Sequence, residues 1–370
     1  MAAEPLPAPP FPAQALPTLG RRSVLGVFTL QLFGCAAQPA VAPPEPDETP
    51  PDVHLLEVPG ATLELQFAPG LSSSTRALAQ SWVRRSAAAV AGYFGRFPVP
   101  QVDVLIVPEA GAGVLGGASF GEPEALLRLR VGHATTQAQF SADWVLVHEM
   151  IHLAIPRLPR AHNWLHEGLA TYLEALTRGR AGLLPADAVW RAWTRQMPLG
   201  QPQGNDTGLD HSPSWARTYW GGALFCLLAD VRLRQRGTPE RGLQQALQGV
   251  LAAGGDFRVA WPVTRVLATA DAALGQTTLT ALYDEMKDRA VQVDLGALWR
   301  DLGVAEAGLR DDAPLAAIRR AILSCGPAQR GRTIIAADAH ALRTAPRTRL
   351  CAALLGPHRR GLDADSPVSR

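Results

Sequence analysis

Residues 148–152 read His-Glu-Met-Ile-His, and no other stretch limits the fold of this chain so tightly. Two histidines at i and i+4 lie on one face of an α-helix, close enough for both imidazoles to meet one tetrahedral ion. The glutamate that follows the first histidine is rotated to reach a water at that ion. A chain of 370 residues with 9 His produces the pattern by chance at about 1%. The spacing predicts a helix over 140–155, with Trp144, Val147, Ile151 and Ile155 on the same apolar side as the two histidines and Pro156 at its end. The bland alternative is a helix that merely carries two core or surface histidines.

A catalytic zinc site takes three protein ligands and leaves the fourth position to water. A histidine six positions after His152 would complete the metzincin set, but that position is Leu158. Downstream, Trp164-Leu165-His166-Glu167-Gly168-Leu169-Ala170-Thr171-Tyr172 opens a second helix over 164–178, and Glu167 follows His152 after fourteen intervening residues. A short turn and an antiparallel helix would set Glu167 opposite the histidine pair, which gives His148, His152 and Glu167 as ligands of one Zn²⁺ and Glu149 as the base. His166, about 100° round the helix from Glu167, and His162 are the alternative third ligands. Thr171, one turn after Glu167, is placed to orient a ligating histidine, and Glu174, a turn further on, reads as a solvated carboxylate.

Around this pair the chain alternates like an α/β protein and then turns helical. Ala61 to Phe67, Gln101 to Val107 and Leu126 to Val131 read as strands, residues 72–97 as a helix closed by Pro98, and the glycines at 111, 113, 116 and 117 as a loop. Helical periods then cover 185–196, 215–236 and 239–253, with more to about 290. The expected fold class is α+β: a small mixed sheet lobe at 52–139 followed by a helical catalytic lobe at 140–290, with a helical extension at 291–370 that carries no motif.

The first 51 residues hold 12 of the 31 prolines, too many for a packed domain, so the folded part is expected from residue 52. Within that lead, Arg21-Arg22-Ser23 precedes an apolar run from Val24 to Gly34 and then Cys35. The run is 11 residues long, against the ~20 that cross a bilayer as a helix, so it reads as a secretion signal over 1–35 with a Pro-rich tether over 36–51. Leu32-Phe33-Gly34-Cys35 resembles a bacterial lipoprotein box, which implies lipidation of Cys35 and a membrane anchor in the cell envelope. A plain cleaved signal and an unexported apolar tail are the competing readings. Cys226 sits in an apolar run and is expected as a buried small hydrophobe, while Cys325 and Cys351 are candidates for a disulfide in an exported chain. With a net charge of +2 and 18% charged residues, the composition has no cationic excess for nucleic acid.

The combined motifs resemble the gluzincin metallopeptidases, in which the third zinc ligand is a glutamate. The pairing of HEMIH with WLHEGLATY resembles the bacterial peptidase MA-like proteins. The stretch from Thr218-Tyr219-Trp220-Gly221-Gly222 through Leu228, Asp230 and Arg236 is similar to the tyrosine-bearing helix of the glycyl aminopeptidases. The likeness covers about residues 140–250. It implies a two-lobed zincin-like fold, a peptide or protein substrate, and Tyr219 as the phenol that supports the oxyanion, with Tyr172 and His211 as alternatives for that role.

The chain departs from those relatives in having no room for their full N-terminal β domain and PDZ domain. The Gly-Ala-Met-Glu-Asn signature of the larger aminopeptidases is also missing, and Gly117-Ala118-Ser119-Phe120 stands in the comparable region. Aminopeptidase specificity therefore does not carry over. The edge of the Leu126 to Val131 strand is a candidate rail for an extended peptide. The rival to a peptidase is a catalytically silent binding or assembly factor of the cell envelope that keeps the fold, although a structural zinc site has no need of Glu149.

Overall fold

The computed structural model describes residues 53–211 and 214–324. The proposed signal, the tether, Cys35, Cys325 and Cys351 lie outside them. The architecture is mixed α+β, a five-stranded sheet followed by a helical half. Strands β1 (Val53–Val58) and β2 (Ala61–Phe67) form an antiparallel hairpin. Its turn needs Gly60, whose φ of 85° lies in the left-handed region. In β2 the alternate residues Ala61, Leu63, Leu65 and Phe67 are all buried, the period-2 pattern of a strand with one face in the core. Helix α1 (Ser73–Phe94) crosses from β2 to the parallel strand β3 (Gln101–Glu109). Ser72 caps it by accepting from the Thr75 N–H at 3.1 Å, and Gly95 ends it with φ 84°.

Two expectations about the sheet change. The glycines at 116 and 117 belong to a strand, β4 (Val114–Phe120), which pairs antiparallel with β5 (Leu126–Gly132) after a register shift between Val114 and Gly116. Glycine in a strand marks close approach, and a side chain at Gly117 would run into Glu149 Cγ at 2.7 Å and Val145 Cγ1 at 3.0 Å. The strand order is β1-β2-β3-β5-β4, so β5 is interior and the edge strand beside it is β4. The sequence hid this because β4 has almost no apolar alternation to read.

The helix expected over 140–155 is two helices, α2 (Gln137–Ala142) and α3 (Val145–His152). Asp143 separates them in an extended conformation. Its carboxylate accepts the N–H groups of Val145 and Leu146, both at 3.1 Å, and the Trp82 indole at 3.1 Å, so it caps α3 and ties it to α1. Burial pushes its carboxyl up to about 6 against these hydrogen bonds. After a loop, α4 (Asn163–Arg180) packs against α3, and α5 (Ala186–Gln196) follows.

A single π turn, Arg217–Gly221, opens α6 (Gly222–Arg236). Arg217 is buried in it, donating to Asp206 at 3.1 Å and to the Gly200 carbonyl at 2.6 Å. Helices α4 and α6 cross with their backbones touching: a Cβ on Gly168 would overlap the Gly222 backbone, and one on Gly222 the Trp164 carbonyl. Glycine at 168 is thus a requirement of packing. Asp230 of α6, fully buried, accepts from Tyr172 at 2.9 Å, Arg234 at 2.8 Å and the Leu243 N–H at 2.8 Å, joining α4 and α6 to α7 (Leu243–Ala252).

Helices α8 (Val263–Ala272), α9 (Thr278–Met286), α10 (Leu295–Leu302) and α11 (Ala316–Leu323) complete the described chain. Helix α11 packs on α4 and α6, and Arg180 donates to the Ile322 carbonyl at 2.8 Å, so residues up to 324 belong to the same core. Cys226 is buried and free, as its apolar surroundings predict.

Candidate metal centre

Helix α3 presents His148 and His152 from one side, and α4 presents Glu167 against them. Glu167 Oε2 lies 3.3 Å from His148 Nε2 and 3.6 Å from His152 Nε2. Ligand bonds of 2.0–2.1 Å at tetrahedral angles put neighbouring donor atoms about 3.3 Å apart, so this triangle is the size a zinc ion takes. The fit rests on the donor set itself: two imidazoles and one carboxylate, converging within 4.8 Å of one another.

The electrostatics suit a cation. Burial, with His166 and His148 nearby, lowers the pKa of His152 well below the ordinary value and keeps the ring neutral, the form that ligates. Burial pushes the Glu167 carboxyl up, but the hydrogen bond and charge of His148, the charge of His166 and a hydrogen bond from Tyr219 outweigh it and hold the group below the usual range. Glu149 is raised instead, by burial, with His148 and a hydrogen bond from Ser119 opposing and Glu167 reinforcing the shift. Two carboxylates in one site are therefore driven in opposite directions. Separated in this way, one suits ligation and the other proton transfer.

Tyr219 is at the site. Its ring is stacked over His148 at 6.2 Å with 12° between planes, and its hydroxyl donates to Glu167. Burial raises the phenol's pKa, with Glu167 and Glu149 adding to the shift, so it remains a donor at neutral pH. The alternatives are engaged elsewhere. Tyr172 is committed to buried Asp230, and His211 pairs with Asp288 at 2.8 Å. His162 lies 3.5 Å from Asp210, whose other oxygen takes the Trp164 indole at 2.7 Å.

His166 is not a ligand of this triangle but lies against it. Its ring stacks on His152 at 4.2 Å with the planes 2° apart, and Phe257 covers its other side at 5.2 Å. His152 Nδ1 is buried without a hydrogen-bond partner, and so is the Thr171 hydroxyl, which does not orient the ligand as expected. Glu174 is also corrected: it is largely buried and paired with Arg178. Sequence reasoning missed Ser119, Phe257 and the stacking of His166. Only Ser119 carried a signal, as the one polar side chain after the paired glycines of β4.

No protein-family profile matches the sequence, and no curated protein matches it. Solved structures do. An aminopeptidase N family protein from Idiomarina loihiensis superposes with a TM-score of 0.53 at 13% identity, over 68% of this chain and 49% of that one. The fold is shared with that protein. An M1 zinc metallopeptidase from Deinococcus radiodurans has a TM-score of 0.43 at 18% identity, over 66% of this chain and 53% of that one. The chain thus spans about half the length of the solved structures it matches.

Proposed function

We propose that this chain is a zinc-dependent peptidase of the gluzincin type, akin to the peptidase MA-like and glycyl aminopeptidase-like proteins. The observation that carries the reading is the geometry of the cluster: Glu167 Oε2 stands 3.3 and 3.6 Å from the Nε2 atoms of His148 and His152, and Glu149, next to His148 on the same helix, lies against Gly117 of β4. His148, His152 and Glu167 would hold the ion. When bound, zinc supplies Lewis acidity, polarising a scissile carbonyl and lowering the pKa of water from about 15.7 towards 7.

The chain's own residues do the rest. Glu149, oriented by Ser119 of β4, accepts the proton of the attacking water and passes it to the leaving amine. The Tyr219 hydroxyl, freed from Glu167, donates to the developing oxyanion. The unpaired edge of β4 runs beside Glu149 and offers backbone groups to an extended peptide. A partly buried carboxyl next to the ligands favours this reading over a silent envelope factor, for which Glu149 has no use. The leader sequence supports export, and the Cys35 box supports tethering to a membrane surface.

The test is Glu149→Gln in the full chain. Zinc content, by atomic absorption, is expected to stay at one per chain while turnover of a broad peptide mixture falls by about 10²–10⁴. Stoichiometric zinc with no turnover by the wild type would sink the peptidase reading.

A further inference from the structure

The two histidines have different surroundings, and those of His148 point to a substrate. Trp144 meets the His148 ring edge-on at 5.6 Å and 88°. Tyr219 is stacked over His148, and Trp215 is stacked in turn on Tyr219 at 5.2 Å with 24° between planes. The ladder leads outward to Trp215, which is 40% exposed, and Trp144 and Val145 at the start of α3 are half-buried. Val145 also approaches Gly117, so the start of α3 adjoins β4.

From this arrangement we propose that Trp144, Tyr219 and Trp215 form a side-chain subsite on the His148 flank of the cluster, which takes a bulky apolar residue next to the scissile bond of an internal peptide segment. The inference rests on the peptidase reading and adds to it the substrate class.

Three observations carry it. An exposed tryptophan continuous with a catalytic stack is a large apolar surface left to water, and its burial by a ligand is favourable. The cation–ring contacts seen among the described residues, of Arg76, Arg180, Arg265 and Lys287, fall on Phe67, Tyr93, Trp261 and Tyr283, away from these three rings. Among the described residues, the carboxylates that meet the histidines are Glu149 and Glu167, and both have work at the cluster, so neither is spare as a counter-charge for a peptide's terminal ammonium. The subsite therefore selects by apolar area, which separates a large side chain from a small one by about tenfold or more.

The experiment uses the full chain loaded with zinc and hexapeptides capped as N-acetyl amides, with Phe, Leu, Ala, Asp or Lys at one position. Cleavage is read as kcat/KM. Binding is read by tryptophan fluorescence in Glu149→Gln, which holds peptide without turning it over. Phe and Leu are expected to exceed Asp and Lys by about tenfold in both readouts. Trp215→Ala should bring the ratio to within about threefold, while Trp215→Phe keeps most of it, each variant being checked for an unchanged melting temperature. Equal binding of all five peptides, or a preference untouched in both Trp215→Ala and Trp144→Ala, overturns the subsite. Preference in binding with no turnover by the wild type overturns the peptidase reading and leaves the subsite standing. Turnover without preference does the reverse.

Discussion

The cluster has a closed flank and an open one. Behind His152, His166 and Phe257 are packed in layers, and the Phe257 N–H donates to the Leu153 carbonyl at 3.2 Å, so the wall is fastened to the end of α3. Around His148 the partners are Tyr219, Trp144 and, at one remove, an exposed Trp215. Helix α3 supplies both histidines, yet one is braced and the other faces groups that can change partners. Holding a metal and handling a substrate make opposite demands on rigidity, and the fold meets them at the two histidines of one helix face, one turn apart.

The largest break in this comparison is expected on the open flank. Tyr219→Phe keeps the ring stacked on His148 and removes only the hydroxyl. The loss of an oxyanion donor should lower kcat by about 10²–10³ with KM and bound zinc little changed. A variant that loses zinc in proportion to activity would show that the phenol acts instead by holding Glu167.

On the closed flank the effect is smaller and falls on the metal. His152 has no hydrogen bond at Nδ1, the usual means by which a ligating imidazole is oriented, so the face of His166 takes that part. Stacking is worth about 0.5–1.5 kcal/mol beyond buried area, and His166→Ala should weaken zinc by roughly tenfold in competition with a chromophoric chelator. His166→Phe keeps the stacked ring and should restore affinity. Equal affinity in all three proteins would mean that the two flanks hold the metal alike.

The ligands were legible because their spacing is dictated by helix geometry, and Glu167 because a second helix begins soon after the first. The sheet edge was not legible. The strand β4 is specified by what it touches, Glu149 and Val145 through Gly117, and close approach leaves only glycine in the sequence, which reads as a loop. The break at Asp143 was missed for a related reason. The apolar period runs on through it, and only the capping bonds to Val145 and Leu146 reveal that the helix restarts. Gly168 stood in plain view inside the WLHEGLATY stretch, but its cause is the crossing of α6 at Gly222, 54 residues further along the sequence. Tyr219 came from family resemblance, and its placement depends on a π turn locked by Arg217, which no periodicity announces.

The smallest effect is expected away from both flanks, on the sheet face opposite to the core. There β3 presents Asp103 in register with Glu64 of β2, and burial, then Glu64 and Glu124, push its carboxyl up to about 6. A carboxyl raised above its unfolded value of 3.8 binds its proton more tightly in the folded state. The folded form is therefore favoured below that value, loses stability as the pH rises towards 6, and is penalised by a constant amount above it. Asp103→Asn removes the ionisation. Melting temperatures of the two proteins should converge near pH 4 and separate as the pH rises, with the variant the more stable at pH 7, while zinc affinity and turnover change on neither flank. Because Asp103 is only half-buried, solvent screens the effect and a shift of a few degrees is the most expected. A melting-temperature difference that stays the same from pH 4 to pH 7 would assign the change to packing instead of charge.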